Sequence, residues 1–389
     1  MTKKHFISTV MAILLVTSGC STQDVPDSRE NISSVREEIQ GILDSFYKTH
    51  QRSGEGDEDG VPEVVDFSQR WYNIVGDTIE EVLPTRGANG DFAITTTVTN
   101  TNGSIGFSMM CLQANMMFIS TTNGSVSDTT FNKGLKEYVE DAPLIAMDMI
   151  KRPITKDYQL AKALAGDPII AAIDHLTVTE WDQKAPYNKY VEACNCATCT
   201  NENGGHRLLG CVPVALGQAI VKCGRFTPTF YGSKGKPLNV LAGKIRPVTE
   251  EEKNQVAHIL AEIAINCGVR FGCTQSDAFA ENAYRYMLEL GYGCTLTNGE
   301  LNLQKLITNL KKGCPHLMAG HNELGSGGHM WVVDGYKVVD NFAYYRCNWG
   351  SNGRCNGWVL NDPYSAINEY GILLARYSKK KQHIYINSK

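Results

Sequence analysis

Past its first twenty residues the chain has no apolar run approaching the roughly 18 residues that a membrane-spanning helix requires. It has no internal repeat and no low-complexity tract, which argues against solenoid and fibrous architectures. It also lacks an excess of positive charge. Thirty-seven Lys and Arg against 41 Asp and Glu leave a formal net charge of -4, which argues against nucleic acid as a partner. What it has is length: 389 residues, 42% of them hydrophobic, suffice for two globular domains with ordinary buried cores.

The opening "MTKKHFISTVMAILLVTSGCS" sets Lys3 and Lys4 before an apolar run from Met11 to Val16 and closes on the small residues Ser18, Gly19 and Cys20. This is the pattern of a signal peptide over residues 1–20, so the protein is expected to be exported, to a periplasm, a cell surface or the medium. A cysteine directly after Ser-Gly resembles a bacterial lipobox, in which Cys20 is lipidated and becomes the mature N-terminus. Thr17 stands where that pattern usually has an aliphatic residue, and cleavage as an ordinary secretory signal is the alternative. The rest of the chain is expected to be soluble, with the membrane reached only through such a lipid. Export allows disulfides to persist. Of thirteen cysteines, Cys20 belongs to the signal, Cys111 stands alone, and eleven crowd the stretch from Cys194 to Cys355. Eleven is odd, so one free thiol beside ten paired ones is one solution; partial or intermolecular pairing is another.

Ile32, Val35, Ile39, Ile42, Leu43 and Phe46 fall at helical spacing between Asn31 and His50. The acidic, glycine-rich "QRSGEGDEDG" follows as a linker. Residues 91–127 predict three short antiparallel strands broken at "NTNGS" and "TTNGS". The stretch "FNKGLKEYVEDAPLIAMDMI" is helical in period, and a basic, proline-marked linker precedes a second domain that begins near Ile169. There, residues 211–222, 248–268, 277–291 and 301–312 predict helices. From Pro315 onward the texture turns to short alternating runs, with "MWVVDGY" closing on a hairpin signal. Helices first and an antiparallel sheet second make an α+β domain, and a cleft between two such halves is a common place for a site.

In "GCVPVALGQAIVK", Gly210 allows a tight turn, Pro213 suits a first helical turn, and Val214 to Lys222 propagate it. Cys211 thus stands at the positive end of a helix, where N–H groups and dipole favour thiolate. A disulfide cysteine at a helix start looks the same. A nucleophile needs a base, and "GSGGHMWVVDGY" offers His329 at the start of a strand; His175, His206, His258, His316 and His321 have less support. Asn348 and Trp349 in "RCNWGSNG" could accept the imidazole N–H and shield that bond from water, or they could simply end a strand. Gln183, in "EWDQKAPYN", could donate to an oxyanion beside the Cys211 backbone N–H.

Taken together, "WDQKAPYN", "GCVPVALGQAIVK", "GGHMWVVDGY" and "NWG" resemble, in order and spacing, the motifs of the streptopain family of bacterial cysteine endopeptidases. The resemblance covers residues 169 to about 360 and, more loosely, the front half. It implies a papain-like two-lobed peptidase domain over residues 161–389, one lobe helical and one antiparallel β. It further implies an α+β propeptide over residues 21–160 that blocks the site as an intramolecular inhibitor. On this likeness Cys211 is the nucleophile, His329 the general base and later acid, and Gln183 the oxyanion donor. Asn348 and Trp349 support the histidine, and Gly210, Gly327 and Gly328 line the substrate cleft. Substrates are proteins or peptides, with a hydrophobic residue preferred two positions before the cut, and activation cuts the linker at residues 151–167. No cofactor and no metal is required. Pro213 and the "GSNGRCNGW" tail depart from the family pattern, as does "CNCATC". For that cluster, with His206 nearby, disulfides are favoured over zinc, because C-x-C and C-x-x-C lack a second, well-separated ligand pair. Cys347 and Cys355 are expected to pair across a turn. A catalytically silent surface-binding protein and another acyl transferase on the same dyad are the rival functions.

Overall fold

Ile39, Leu43 and Phe46 recur on one face of a single helix, Ser28–Lys48, and are completely or almost completely buried. The structure, a computed structural model, describes residues 28–48, 60–83, 89–131, 133–151, 172–173, 176–223, 246–299, 301–321, 328–339, 342–362 and 379–387. The proposed signal and Cys20, nearly all of the basic linker, His175 and Gly327 lie outside these residues.

After the first helix come strands β1 (Glu63–Val75), β2 (Thr78–Val82), β3 (Phe92–Thr101), β4 (Ser104–Cys111) and β5 (Met116–Thr121). β3 and β4 turn at Asn102 and Gly103, both with positive φ, as "NTNGS" predicted. The next turn differs. β4 and β5 are joined at Leu112–Asn115, where Asn115 N–H donates to Leu112 O (3.0 Å), and "TTNGS" only ends β5. The helical stretch beyond is broken into Lys133–Glu140 and Ala142–Lys151.

In the second half the predicted helices stand at Cys211–Cys223, Glu250–Asn266, Ala280–Glu289 and Leu303–Lys311. Thr249 and Glu252 form a reciprocal capping box that starts the second of these. The strands are β6 (Ala172–Ile173), β7 (Gly293–Asn298), β8 (His316–His321), β9 (Gly328–Val339), β10 (Phe342–Asn348), β11 (Gly357–Asp362) and β12 (Lys379–Asn387). Asp334-Gly335 makes no hairpin and lies inside β9. Asp334 is fully buried and accepts from the Thr177 N–H (3.0 Å) and from Arg346 (3.3 Å). A Cβ at Gly335 would stand 2.9 Å from Arg346 Cβ, so glycine serves close strand packing here, not a turn.

All twelve strands form one antiparallel sheet, ordered β2-β1-β3-β4-β5-β11-β10-β9-β8-β12-β7, with β6 beside β9. β9 is buried on both faces and divides two cores. Met330 and Val332 join the helices Cys211–Cys223, Glu250–Asn266 and Ala280–Glu289, whereas Trp331 and Val333 join the front helix and its strands.

The sheet runs from the front half into the rear at a seam of β5 against β11, with Gly357, Trp358 and Val359 opposite Thr121, Ser120 and Ile119, and the two halves share one core. The Tyr138 hydroxyl spans it, 2.8 Å from Phe118 O and 3.1 Å from Leu360 O. Behind the seam Lys337 of β9 is buried, its ammonium 3.5 Å from the Phe46 ring centroid, 4.1 Å from Trp358 and 4.6 Å from Tyr47. It also donates to Phe46 O (3.3 Å). Three aromatic faces and a carbonyl thus replace part of its water. At the seam itself a Cβ on Gly357 would lie 2.2 Å from Ser120 O. Gly357→Ala is therefore expected to lower stability by about 1–3 kcal/mol through overpacking, read as a lower urea midpoint for the full chain.

Candidate functional site

Three chain segments converge on Cys211. The turn before it is held from both sides: Leu208 N–H donates to Gly272 O (2.9 Å) and Leu209 N–H to Gln183 O (3.0 Å). The Ser276 hydroxyl donates to Leu208 O (2.6 Å). Gly210 has φ +99 with Ser276 Cβ close by, a position that a side chain would strain. The helix Cys211–Cys223 then begins, with Pro213 in its first turn. Cys211 is half-buried, and the backbone N–H groups of Met330, Cys211 and Val212 favour the ionised form of its thiol. Burial pushes its thiol pKa up, and those N–H groups only partly oppose this.

Met330 follows His329, so the sulfur rests against the backbone beside that histidine. His329 Nε2 lies 3.0 Å from Trp349 O. A carbonyl only accepts, so Nε2 carries the proton and Nδ1 is the basic nitrogen of the neutral ring. Nδ1 has no hydrogen-bond partner among the described residues. Trp331 and Trp349 flank the ring at 6.3 Å each, centroid to centroid. Burial in this apolar setting lowers the His329 pKa to about 4, with the Trp349 carbonyl pulling weakly the other way. In this arrangement thiol and imidazole are both held neutral.

Asn348 is not on the histidine, contrary to the sequence expectation. Its Nδ2 donates to Thr179 O (2.7 Å) and to Gln218 Oε1 (3.2 Å), while Gln218 Nε2 donates to Asn348 Oδ1 (3.2 Å). Gln218 Oε1 also accepts from Trp181 N–H (3.2 Å). Trp349 fixes the ring through its carbonyl, and its indole N–H goes to Cys355 O (2.9 Å). Gln218 was missed, although it left a signal: it is the one uncharged polar side chain in the apolar run after Cys211, seven residues on and therefore on the same helix face.

Gln183 is half-buried beside the turn it anchors, and its side-chain amide has no partner among the described residues. Gly328 is exposed at the start of β9. Other histidines are engaged elsewhere: His206 Nδ1 with Val191 O (2.8 Å), His258 stacked on Tyr190, and His316 with His383 (3.3 Å). No disulfide joins the described cysteines. The expected pair is not formed, because Cys347 turns to Tyr345 O and Cys355 to Ser125 O. Cys194, Cys196 and Cys199 gather with Cys273.

The family model described as Peptidase C10 matches residues 236–359, the segment that contains His329, Asn348 and Trp349. Over that third of the chain the sequence is similar to the Peptidase C10 family, the streptopain family. The match supports a cysteine peptidase; Cys211 and Gln183 precede the matched segment. Among solved structures, a fragment of Prevotella intermedia prointerpain A, with a cysteine replaced by alanine, is similar in fold at a TM-score of 0.50. The two share 16% identity over 81% of this chain and 98% of that one. No curated protein matches the chain.

Two outcomes follow from the amide joint and the buried rings. Gln218→Leu leaves the Trp181 N–H without its acceptor in a dry interior and removes two bonds of the Asn348 amide, and is expected to cost about 1–3 kcal/mol, measured by urea unfolding. Burial lowers the pKa of His329 and His383 to about 4 each and that of His316 further. The unfolded chain, with ordinary values near 6.5, then binds protons that the fold refuses. Stability should be full above about pH 6.5 and fall progressively towards pH 4; a flat urea midpoint across that window would show these rings to be solvated.

Proposed function

We propose that the chain is an exported zymogen whose residues 161–389 form an endopeptidase using Cys211 and His329, with residues 21–160 as its propeptide. The observation that carries this is Cys211 as the first residue of a helix, its thiol acted on by the backbone N–H of Met330, which directly follows a histidine whose tautomer is fixed. His329 Nδ1 takes the Cys211 thiol proton, and the sulfur attacks the peptide carbonyl carbon. Gln183 and the Cys211 backbone N–H donate to the oxygen that becomes negative. As the C–N bond breaks, His329 delivers its proton to the leaving amine. Water, deprotonated by the same ring, then hydrolyses the thioester and frees the acid.

Latency has physical support in the neutral pair. A raised thiol pKa and a lowered imidazole pKa both oppose the thiolate–imidazolium state that attack requires. The shared core and the aromatic cage around Lys337 support a front half that packs tightly on the rear half, as an inhibitory propeptide would. Activation is self-cleavage within residues 151–167, which would also release the peptidase from any lipid at Cys20. The signal-like first twenty residues support export.

The test is expression of the chain from Ser21 onward as wild type and as Cys211→Ala. The front segment is expected to be lost on a gel from wild type alone, with Cys211 labelled by a thiol-directed peptidyl inhibitor. No processing and no labelling would overturn the proposal and favour a silent binding protein.

A further inference from the structure

The three cysteines of "CNCATC" acquire a fourth partner in the fold. Cys194 and Cys196 lie in the loop before the short helix Ala197–Glu202, which carries Cys199. Cys273 sits in the bend between Arg270 and Asp277, whose backbones pair. All four sulfurs lie within 4.8 Å of one another, and those of Cys194 and Cys273 are 3.5 Å apart. Zinc–sulfur bonds of about 2.3 Å in a tetrahedron put sulfurs about 3.8 Å apart. Two disulfides need only two close pairs, each at about 2.0 Å, and give no reason for four sulfurs to converge on one point.

The surroundings are those of a thiolate cage. Cys199 N–H points at the Cys196 sulfur (3.4 Å), and Asn203 Nδ2 lies 4.0 Å from the Cys199 sulfur while donating to Cys273 O (2.8 Å). Gly205 closes the loop twice, accepting from Cys194 N–H (2.9 Å) and donating to Cys199 O (2.8 Å). Such outer contacts orient sulfur ligands and spread their charge.

We propose that Cys194, Cys196, Cys199 and Cys273 bind one zinc ion. Four thiolates fill a tetrahedron and leave no open position, so the ion is structural and takes no part in peptide hydrolysis. Its place in the fold says what it braces. Gly272, beside Cys273, holds Leu208, and Gln183 holds Leu209, so the metal clamp secures the turn that delivers Cys211. This role does not depend on the peptidase reading.

The full chain carrying Cys211→Ala, purified without chelator, should contain one zinc per molecule by elemental analysis. After zinc removal, cobalt(II) should restore the intense thiolate-to-metal absorption of a tetrahedral tetrathiolate site. Cys273→Ser should lose zinc, whereas Cys294→Ser, outside the cluster, should keep it. Non-reducing peptide mapping of the chain without a cysteine substitution in the cluster guards against misfolded variants. Zinc well below one equivalent, with the four cysteines mapped as disulfides or as free thiols, would overturn the proposal.

Discussion

The reciprocal amide pair between Gln218 and Asn348 is the joint through which the rest of the site takes its shape. Gln218 rises from the helix that Cys211 begins, Asn348 ends β10, and Trp181 N–H shares the Gln218 oxygen. A buried amide is costly unless every donor and acceptor is met, so the three segments are fixed together or not at all. Trp349, next to Asn348, then has its carbonyl in only one place. That carbonyl sets the His329 proton on Nε2 and leaves Nδ1 as the base. Gly350 completes the approach: a Cβ there would stand 2.9 Å from Val214 of the same helix.

Electrostatics and packing pull against each other at this site. Trp331 and Trp349 exclude water from the ring and so favour its neutral form, while the helix N-terminus favours charge on sulfur. Desolvation wins in the form described, since both shifts point away from the ion pair. The charge state of this pair therefore depends on how much water reaches two half-buried groups, and Trp331 and Trp349 limit it at the ring.

How much was legible in the sequence follows from the range of the forces involved. The helix at Cys211 could be read because its signals are local: a glycine before, a proline inside and an apolar run after. The motif order around it was equally plain. β1 and β2 were not foreseen, since their mostly exposed faces carry little alternation and they take their shape from pairing with β3. Asp334-Gly335 misled because turn chemistry assumes solvent, and Arg346, twelve residues on, turns the aspartate into a buried partner. Asn348 was placed on the histidine from its residue type and the family likeness, whereas in the fold Gln218 and the Thr179 carbonyl take its amide. Cys273 escaped the cysteine count as a ligand because 74 residues separate it from Cys199 and only the Arg270–Asp277 bend brings it back.

The three-pair seam between β5 and β11 also settles what kind of surface the rear half would present by itself. Without β5, the backbone groups of β11 that face it at Gly357–Val359 lose their partners while those facing β10 keep theirs, and an unpaired edge is a template for any passing extended chain. Nature blunts such edges by keeping them short and breaking them at both ends, and β11 meets both conditions: six residues, Gly357 at the start, Asp362 and then Pro363 at the finish. Self-association of a separated rear half through this edge is thereby limited by the same few residues that carry the sheet from one half into the other.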